Sequence, residues 1–312
     1  MFHTVVFSGG ASQSMAFVGC IRYLEHSCLI SHVRKVVGSS AGAIVALLFA
    51  LGMSSDDMIE KLVTSIERNH ANQISLEDAI EIGDTYGIDS GRNMVRALEE
   101  VIDEYMSSKD ATFADIARVR GIDVTICVMN LTKKKYEYMS VDNTPDMPVK
   151  LAIRMSISLP LLFAPVRYGK FDDLYVDPFI GRNFPHDYPG SNPADNAVLG
   201  LRIDLTSCSY TDSFASYALS MVNFMIEQSN VYDMSHYKWT IIDISPGSAP
   251  SFSTETLQFE YNKEIATVLS KIGYTTLKSV LDAKLIYFSR QDETAYEEPR
   301  RSTDEGHVGI RG

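Results

Sequence analysis

Cysteine is scarce in this chain: Cys20, Cys28, Cys127 and Cys208 are the four present in 312 residues. They are scattered, and none stands in a C-x-x-C pair. A disulfide framework is therefore not expected, and a reducing, cytoplasmic compartment is. No histidine and cysteine cluster has ligand spacing, so the sequence calls for no metal and no cofactor. Positive charge is also short. Lysine and arginine number 28 against 40 aspartates and glutamates, a formal net charge of -12. That balance excludes a nucleic-acid partner, which needs a basic face. It disfavours broad attraction to an anionic membrane, although a local patch can still touch one transiently. No apolar run reaches bilayer length. The longest, Ala43 to Leu51, is under half of the roughly 20 residues a spanning helix needs. The first residues, Met1-Phe2-His3-Thr4, carry no basic region and no cleavage site, so no leader is expected in them.

What is present fits a globular α/β protein. Apolar residues make up 45% and charged residues 22%, the balance of a chain that buries one sizeable core. Phe2 to Phe7 reads as a buried strand, and Met15 to His26 as a helix with Met15, Val18, Cys20, Ile21 and Leu24 mostly on one face. Val33 to Val37 is a second strand. Ser55 is expected to cap a helix bearing Met58, Ile59, Leu62, Val63 and Ile66. Another helix runs from about Gly91 to Met106. Asp123 to Met129 and Lys135 to Met139 read as a strand pair, followed by a helix over Leu151 to Ser158. Val198 to Ile203 and Trp239 to Ile244 are later strands. Ser213 to Gln228 and Asn262 to Phe288 are later helices, the second with a break at Gly273. This alternation predicts a three-layer α/β/α fold with a mostly parallel central sheet. One domain over residues 1–290 is expected, with a loose polar tail over 291–312.

The most informative segment is Gly38-Ser39-Ser40-Ala41-Gly42. It lies between a strand and the apolar helical run that begins at Ala43, the setting of a nucleophile elbow. The glycines at 38 and 42 give a sharp turn room, and the turn exposes the Ser40 hydroxyl at a helix N-terminus. A second glycine turn, Ser8-Gly9-Gly10-Ala11, closes the first strand in the same way. Parallel neighbouring strands would bring both turns to one sheet edge. The amides of Gly9, Gly10 and Ala11 could then cradle an oxyanion or, alternatively, a phosphate. Neither G-x-G-x-x-G nor the P-loop pattern is present. The downstream histidines His186 and His236 occupy no convincing strand-end loop with an acidic partner, which counts against a histidine triad.

These residues together resemble the patatin-like phospholipases. The run Val5 to Gly19 looks like their oxyanion segment, and Gly38 to Gly42 like their nucleophile motif. Thr112-Phe113-Ala114-Asp115, the run Ile153 to Val166, and Leu174-Tyr175-Val176-Asp177 follow in family order. The resemblance covers roughly Met1 to Pro185. It implies a catalytic dyad in which Ser40 is the nucleophile and Asp177 the base, with Gly9, Gly10 and Ala11 as the oxyanion hole. Asp172 and Asp173 are rival bases that precede the strand Asp177 ends. The substrate it implies is a lipid or acyl ester, cleaved through an acyl-serine intermediate without metal. Apolar Leu159, Leu161, Leu162 and Phe163 are the candidate acyl pocket, and Arg154 and Arg167 could meet a lipid phosphate or serve as scaffold ion pairs.

The chain departs from the family pattern at Ala11, Gln13 and Ser14, where glycine, arginine and glycine are usual, and at Pro178 after the aspartate. All four spare the side chains that do chemistry. The alternatives are an esterase or thioesterase on a small acyl substrate, which would use the same dyad, and a degenerate protein that binds lipid without cleaving it.

Overall fold

The computed structural model describes residues 1–68, 86–204, 224–225, 232–246, 252–253, 258–259 and 262–295. Strand β1 (Thr4–Phe7) leads through a 3-10 turn (Ala11–Ser14) into helix α1 (Met15–His26). Then come β2 (Lys35–Ser39), α2 (Ala41–Ala50), α3 (Ser55–Arg68), β3 (Gly87–Asp89), α4 (Arg92–Met106) and α5 (Phe113–Arg120). The middle of the chain holds β4 (Asp123–Asn130), β5 (Lys135–Ser140), α6 (Val149–Ser156), β6 (Leu161–Phe163), β7 (Val166–Tyr168) and β8 (Asp173–Val176). A kinked helical turn, α7 (Phe179–Arg182), precedes β9 (Val198–Ile203), β10 (Thr240–Ile244), β11 (Phe252–Ser253), β12 (Gln258–Phe259) and α8 (Lys263–Ala295). The helix expected over Ser213 to Gln228 lies outside the described residues except for Phe224 and Met225, and so do Cys208 and residues 296–312.

The domain is a three-layer α/β/α fold whose central sheet is mixed: most of its strands are parallel, as expected, but not all. The eight-stranded sheet runs in the order β10-β9-β1-β2-β4-β8-β7, with β5 also on β4. Strands β10, β9, β1, β2 and β4 are parallel; β5, β8 and β7 join antiparallel. The register explains why. β5 occupies one edge of β4 from Thr125 to Asn130. On the other edge β2 pairs as far as Cys127, and β8 takes over at Met129 and Asn130. β2 and β8 therefore run toward each other along one edge of β4. Ser40 and Asp177 each follow the strand end that faces the other. A parallel β8 would have carried Asp177 away from Ser40.

Alternation along the strands divides the core. Val5 and Phe7 of β1 and Val36 of β2 pack with the helices in the main core cluster. Val6, Val37 and Val198 face the other way, against Phe184, Tyr188 and Trp239. Every residue of α2 from Ala41 to Ala50 is buried, as befits a helix apolar all round. The α3 cap is Ser54, whose hydroxyl accepts the Asp57 amide at 3.2 Å. Ser55, expected there, instead donates its own amide to the Glu25 carboxylate at 3.0 Å. Thr112 and Asp115 form a reciprocal capping box that starts α5 just before β4.

Helix α8 is not broken at Gly273. A Cβ at Gly273 would fall on the Ala16 carbonyl, and one at Gly19 on the Ser270 carbonyl. Both glycines let α8 and α1 approach backbone to backbone. The helix also runs through the expected boundary at residue 290. Among the described residues no helix is long and apolar enough to cross a membrane.

Candidate active site

β2 delivers Ser40 to the N-terminus of α2 in a conformation that L-residues avoid, φ 51° and ψ -133°. Tight packing forces this turn. A Cβ at Gly38 would lie 2.6 Å from the Ala43 Cα, and one at Gly42 would fall on the Ser8 carbonyl and 2.9 Å from that of Phe7. Gly42 thus lets the start of α2 rest on the end of β1. The Ser40 amide donates to the Ser156 hydroxyl at 2.8 Å, and that hydroxyl donates to the Cys127 carbonyl at 2.7 Å.

The Ser40 hydroxyl donates to Asp177 Oδ2 at 2.6 Å. The other carboxylate oxygen accepts the Phe179 amide at 2.9 Å, and the Asp177 amide donates to the Ser158 carbonyl at 3.0 Å. Pro178 fits this turn, since its missing N–H is not needed and the next amide closes back on the aspartate. Asp177 is 1% exposed while Ser40 is half-buried. Burial pushes the Asp177 carboxyl up to about 7, and the bonds from Ser40 and Phe179 pull against that rise.

The first glycine turn lies against the elbow. A Cβ at Gly9 would stand 2.9 Å from the Ser40 Cβ and would fall on the Asn183 side chain. The Gly9 amide already donates to the Asn183 carbonyl at 2.9 Å. Ser39 donates its hydroxyl to that same carbonyl. No hydrogen bond within the described residues uses the amides of Gly10 or Ala11. Of the three expected donors, Gly9 thus has its amide taken by a partner, while Gly10 is buried against Ile203 and Ala11 is part-buried. Ala11 stands at φ 46°, so the turn does use positive φ where the chain has no glycine. Gln13 and Ser14 are buried, and the Ser14 hydroxyl closes the turn on the Ala11 carbonyl at 2.7 Å.

The rival groups are elsewhere. Asp172 pairs with Arg167 at 3.0 Å, and Asp173 pairs with Lys133 at 2.5 Å. The Lys133 bond, joined by Asn130, holds the Asp173 carboxyl below its ordinary value. His186 sits among Phe184, Tyr232 and Tyr237, and His236 against Tyr237. Arg154 is buried and donates to the Ser90 and Ala164 carbonyls at 2.8 and 2.7 Å, so it is scaffold. Leu159 packs beside Phe179 and Ile180 next to the dyad. Leu162 and Phe163 are buried in β6, Phe163 under the Arg154 guanidinium. The Leu161 side chain lies outside the described residues. Among the described residues no group of three His, Cys, Asp or Glu side chains could hold a metal ion.

Sequence reasoning missed Ser156, Ser39 and Asn183. Ser156 lies within the run Ile153 to Val166, so a signal was there. Asn183 had none.

Comparison with known proteins gives a consistent result. The family described as patatin-like phospholipase matches residues 5–189. A curated relative named probable lipid hydrolase 463L, from Invertebrate iridescent virus 6, is 26% identical over 189 residues, covering 60% of this chain and 62% of its own. Uncharacterized protein R571 of Acanthamoeba polyphaga mimivirus is 26% identical over 182 residues, covering 58% and 59%. The chain thus spans about six-tenths of the length of these relatives. The crystal structure of VipD from Legionella pneumophila is similar in fold, with a TM-score of 0.53 and 17% identity over 90% of this chain and 67% of that one.

Proposed function

This chain belongs to the patatin-like phospholipase family, and from that membership we propose that it is a lipid acyl hydrolase working through Ser40 and Asp177. The observation that carries the reading is the 2.6 Å bond from the Ser40 hydroxyl to Asp177. It is made at a strained strand-to-helix turn, where strain is kept only if the surroundings enforce it.

In this reading the Ser40 oxygen attacks an ester carbonyl while its proton passes to Asp177 Oδ2. A base that titrates near pH 7 is matched to that task. The carbonyl oxygen takes up the negative charge facing the Gly10 and Ala11 amides, with the α2 N-terminus behind them. Gly9 serves by its lack of a side chain, which lets the turn close on Ser40 and Asn183. The C–O bond of the ester then breaks, and the leaving alcohol takes the proton from Asp177. The acyl group is left on Ser40. Water, deprotonated by Asp177, attacks the acyl-serine and releases a carboxylic acid, restoring both side chains. Leu159, Phe179 and Ile180 offer the acyl chain an apolar wall beside the dyad. The reduced cysteines among the described residues, Cys20, Cys28 and Cys127, support a cytoplasmic setting.

A fluorophosphonate probe read out by intact mass tests the nucleophile. One adduct is expected on the parent protein, none on Ser40→Ala, and its site should map to Ser40. Labelling of Ser40→Ala at the parent rate would remove Ser40 from the mechanism. A panel of phospholipids and short-chain esters then separates a lipid hydrolase from a small-ester esterase.

A further inference from the structure

Two hairpin turns project beyond the dyad at the same end of the sheet. Ser39 is level with Cys127 on β4, but β4 continues to Asn130 before turning back through residues 131–134 into β5. β8 runs antiparallel to that extension, so the β7–β8 turn at residues 169–172 lies past it. The 4 residues of β8 set that turn about 13 Å outward of Asp177 at 3.3 Å per residue. The two turns are tied side by side. The Leu131 amide donates to the Leu174 carbonyl at 2.8 Å, and the Leu174 amide to the Thr132 hydroxyl at 2.9 Å. Asn130 and Lys133 both reach Asp173, at 3.2 and 2.5 Å.

This double-turn tip displays what a surface normally hides. Phe171 is 76% exposed, Leu131 46% and Tyr168 39%. Lys133, Lys134, Lys135, Arg167 and Lys170 surround them. The carboxylates among them are Asp172, Asp173 and Glu137, and they pair with Arg167, Lys133 and Lys135. Lys134 and Lys170 remain in excess, with no ion pair among the described residues. The Lys170 ammonium lies 5.7 Å from the centre of the Phe171 ring. A locally cationic, aromatic tip on a chain of net charge -12 reverses the sign of the whole.

We propose that the β4–β5 and β7–β8 turns dock the protein on a bilayer surface containing anionic lipid. Phe171 and Tyr168 enter the headgroup layer, and the lysines meet phosphates. The proposal rests on the hydrolase reading, because docking there presents the dyad end of the sheet to a lipid ester. Lysines on flexible stems around an exposed aromatic suit a fluid headgroup layer. Each cation near such a surface adds to the attraction within a Debye length. The acidic remainder of the molecule is repelled, which fixes the orientation.

Co-sedimentation with extruded vesicles tests it, using phosphatidylcholine alone and phosphatidylcholine mixed with phosphatidylserine. Parent protein should bind the mixed vesicles at least about tenfold more tightly, and high salt should weaken that binding. The double variant Lys134→Glu/Lys170→Glu should lose the preference, and Phe171→Ser should bind about tenfold more weakly to the same vesicles. Both variants should hydrolyse a soluble nitrophenyl ester at the parent rate. Equal binding of the parent to both vesicles, or parent-like binding by both variants, overturns the proposal. If the parent binds as expected but cleaves no ester, docking stands and the hydrolase reading falls.

Discussion

The amide of Ser40 is held by the hydroxyl of Ser156 at 2.8 Å, a bond that pins the backbone of the residue whose hydroxyl meets Asp177. Ser156 is fully buried and anchored in turn to β4 through the Cys127 carbonyl. Ser156→Ala would leave the Ser40 amide without its acceptor, a loss of about 1–3 kcal/mol. We expect kcat to fall roughly tenfold or more with KM changed little, because only the attacking geometry is disturbed. Ser156→Thr keeps the hydroxyl and should recover part of the rate. Steady-state kinetics on a short-chain nitrophenyl ester decide it; a change confined to KM would assign Ser156 to substrate binding.

The Asp177 carboxyl, pushed up to about 7 by burial, must be ionised to act as a base. With a neutral ester, kcat/KM should climb with pH below about 7 and level off above it. Asp177→Asn should lie at least about a hundredfold lower and show no such rise. Variants of His186 and His236 should keep the parent profile. A profile displaced by either histidine variant would return the histidines to the mechanism.

The same displacement makes the base costly to fold. Below pH 3.8 the carboxyl is protonated in folded and unfolded chains alike, so it contributes nothing to the pH dependence. Between 3.8 and about 7 the unfolded chain gives up its proton while the folded one keeps it, and stability falls. Above 7 the full loss is present, about 4 kcal/mol for a group held that far above its ordinary value. Asp177→Asn, which carries no charge, should therefore melt higher than the parent at pH 8, with the gap closing toward pH 4. Equal melting curves at pH 8 would mean that the carboxylate is better solvated than its burial suggests.

Ala11 at φ 46° and buried Gln13 occupy positions where the family uses glycine and arginine. Ala11→Gly relieves the backbone but adds unfolded-state freedom, so stability should move by less than about 1 kcal/mol. Ala11→Val, branched at Cβ, should cost more than about 1 kcal/mol. Gln13→Arg would place a charge in a buried setting and should lower the melting temperature without raising kcat/KM. A clear gain in activity from the arginine would show that the amides alone do not suffice.

Much of the site was legible because it is local. The Ser40 elbow, the Gly9–Ala11 turn and the Leu174–Asp177 strand end each carry their geometry in a few adjacent residues. The direction of β8 was not legible, because a short apolar strand reads the same parallel or antiparallel. Only its register on β4 shows that it runs head-on toward β2. Asn183 escaped for a related reason: its carbonyl joins the Gly9 amide and the Ser39 hydroxyl, and backbone acceptors leave no mark in sequence. Gly273 was misread because a glycine that admits a neighbouring helix looks like one that breaks its own.

That helix contact makes Gly19 and Gly273 sensitive positions. A methyl at either meets a carbonyl of the facing helix, at Ser270 or Ala16. Gly19→Ala and Gly273→Ala should each destabilise by more than about 2 kcal/mol, since backbone cannot yield as a side chain does. Urea unfolding measures this directly. A shift below about 0.5 kcal/mol would mean that α8 slides along α1 without loss.

Helix α8 packs on α1 and on the 3-10 turn that carries Ala11. During synthesis, Ser40 leaves the ribosome more than two hundred residues before Lys263, the start of α8. Until α8 arrives, α1, which follows the Ala11 turn, has a bare flank at Gly19. The nascent chain therefore carries Ser40 long before the helix that packs behind the Ala11 turn, so the two sides of this corner of the fold are assembled from the two ends of the chain.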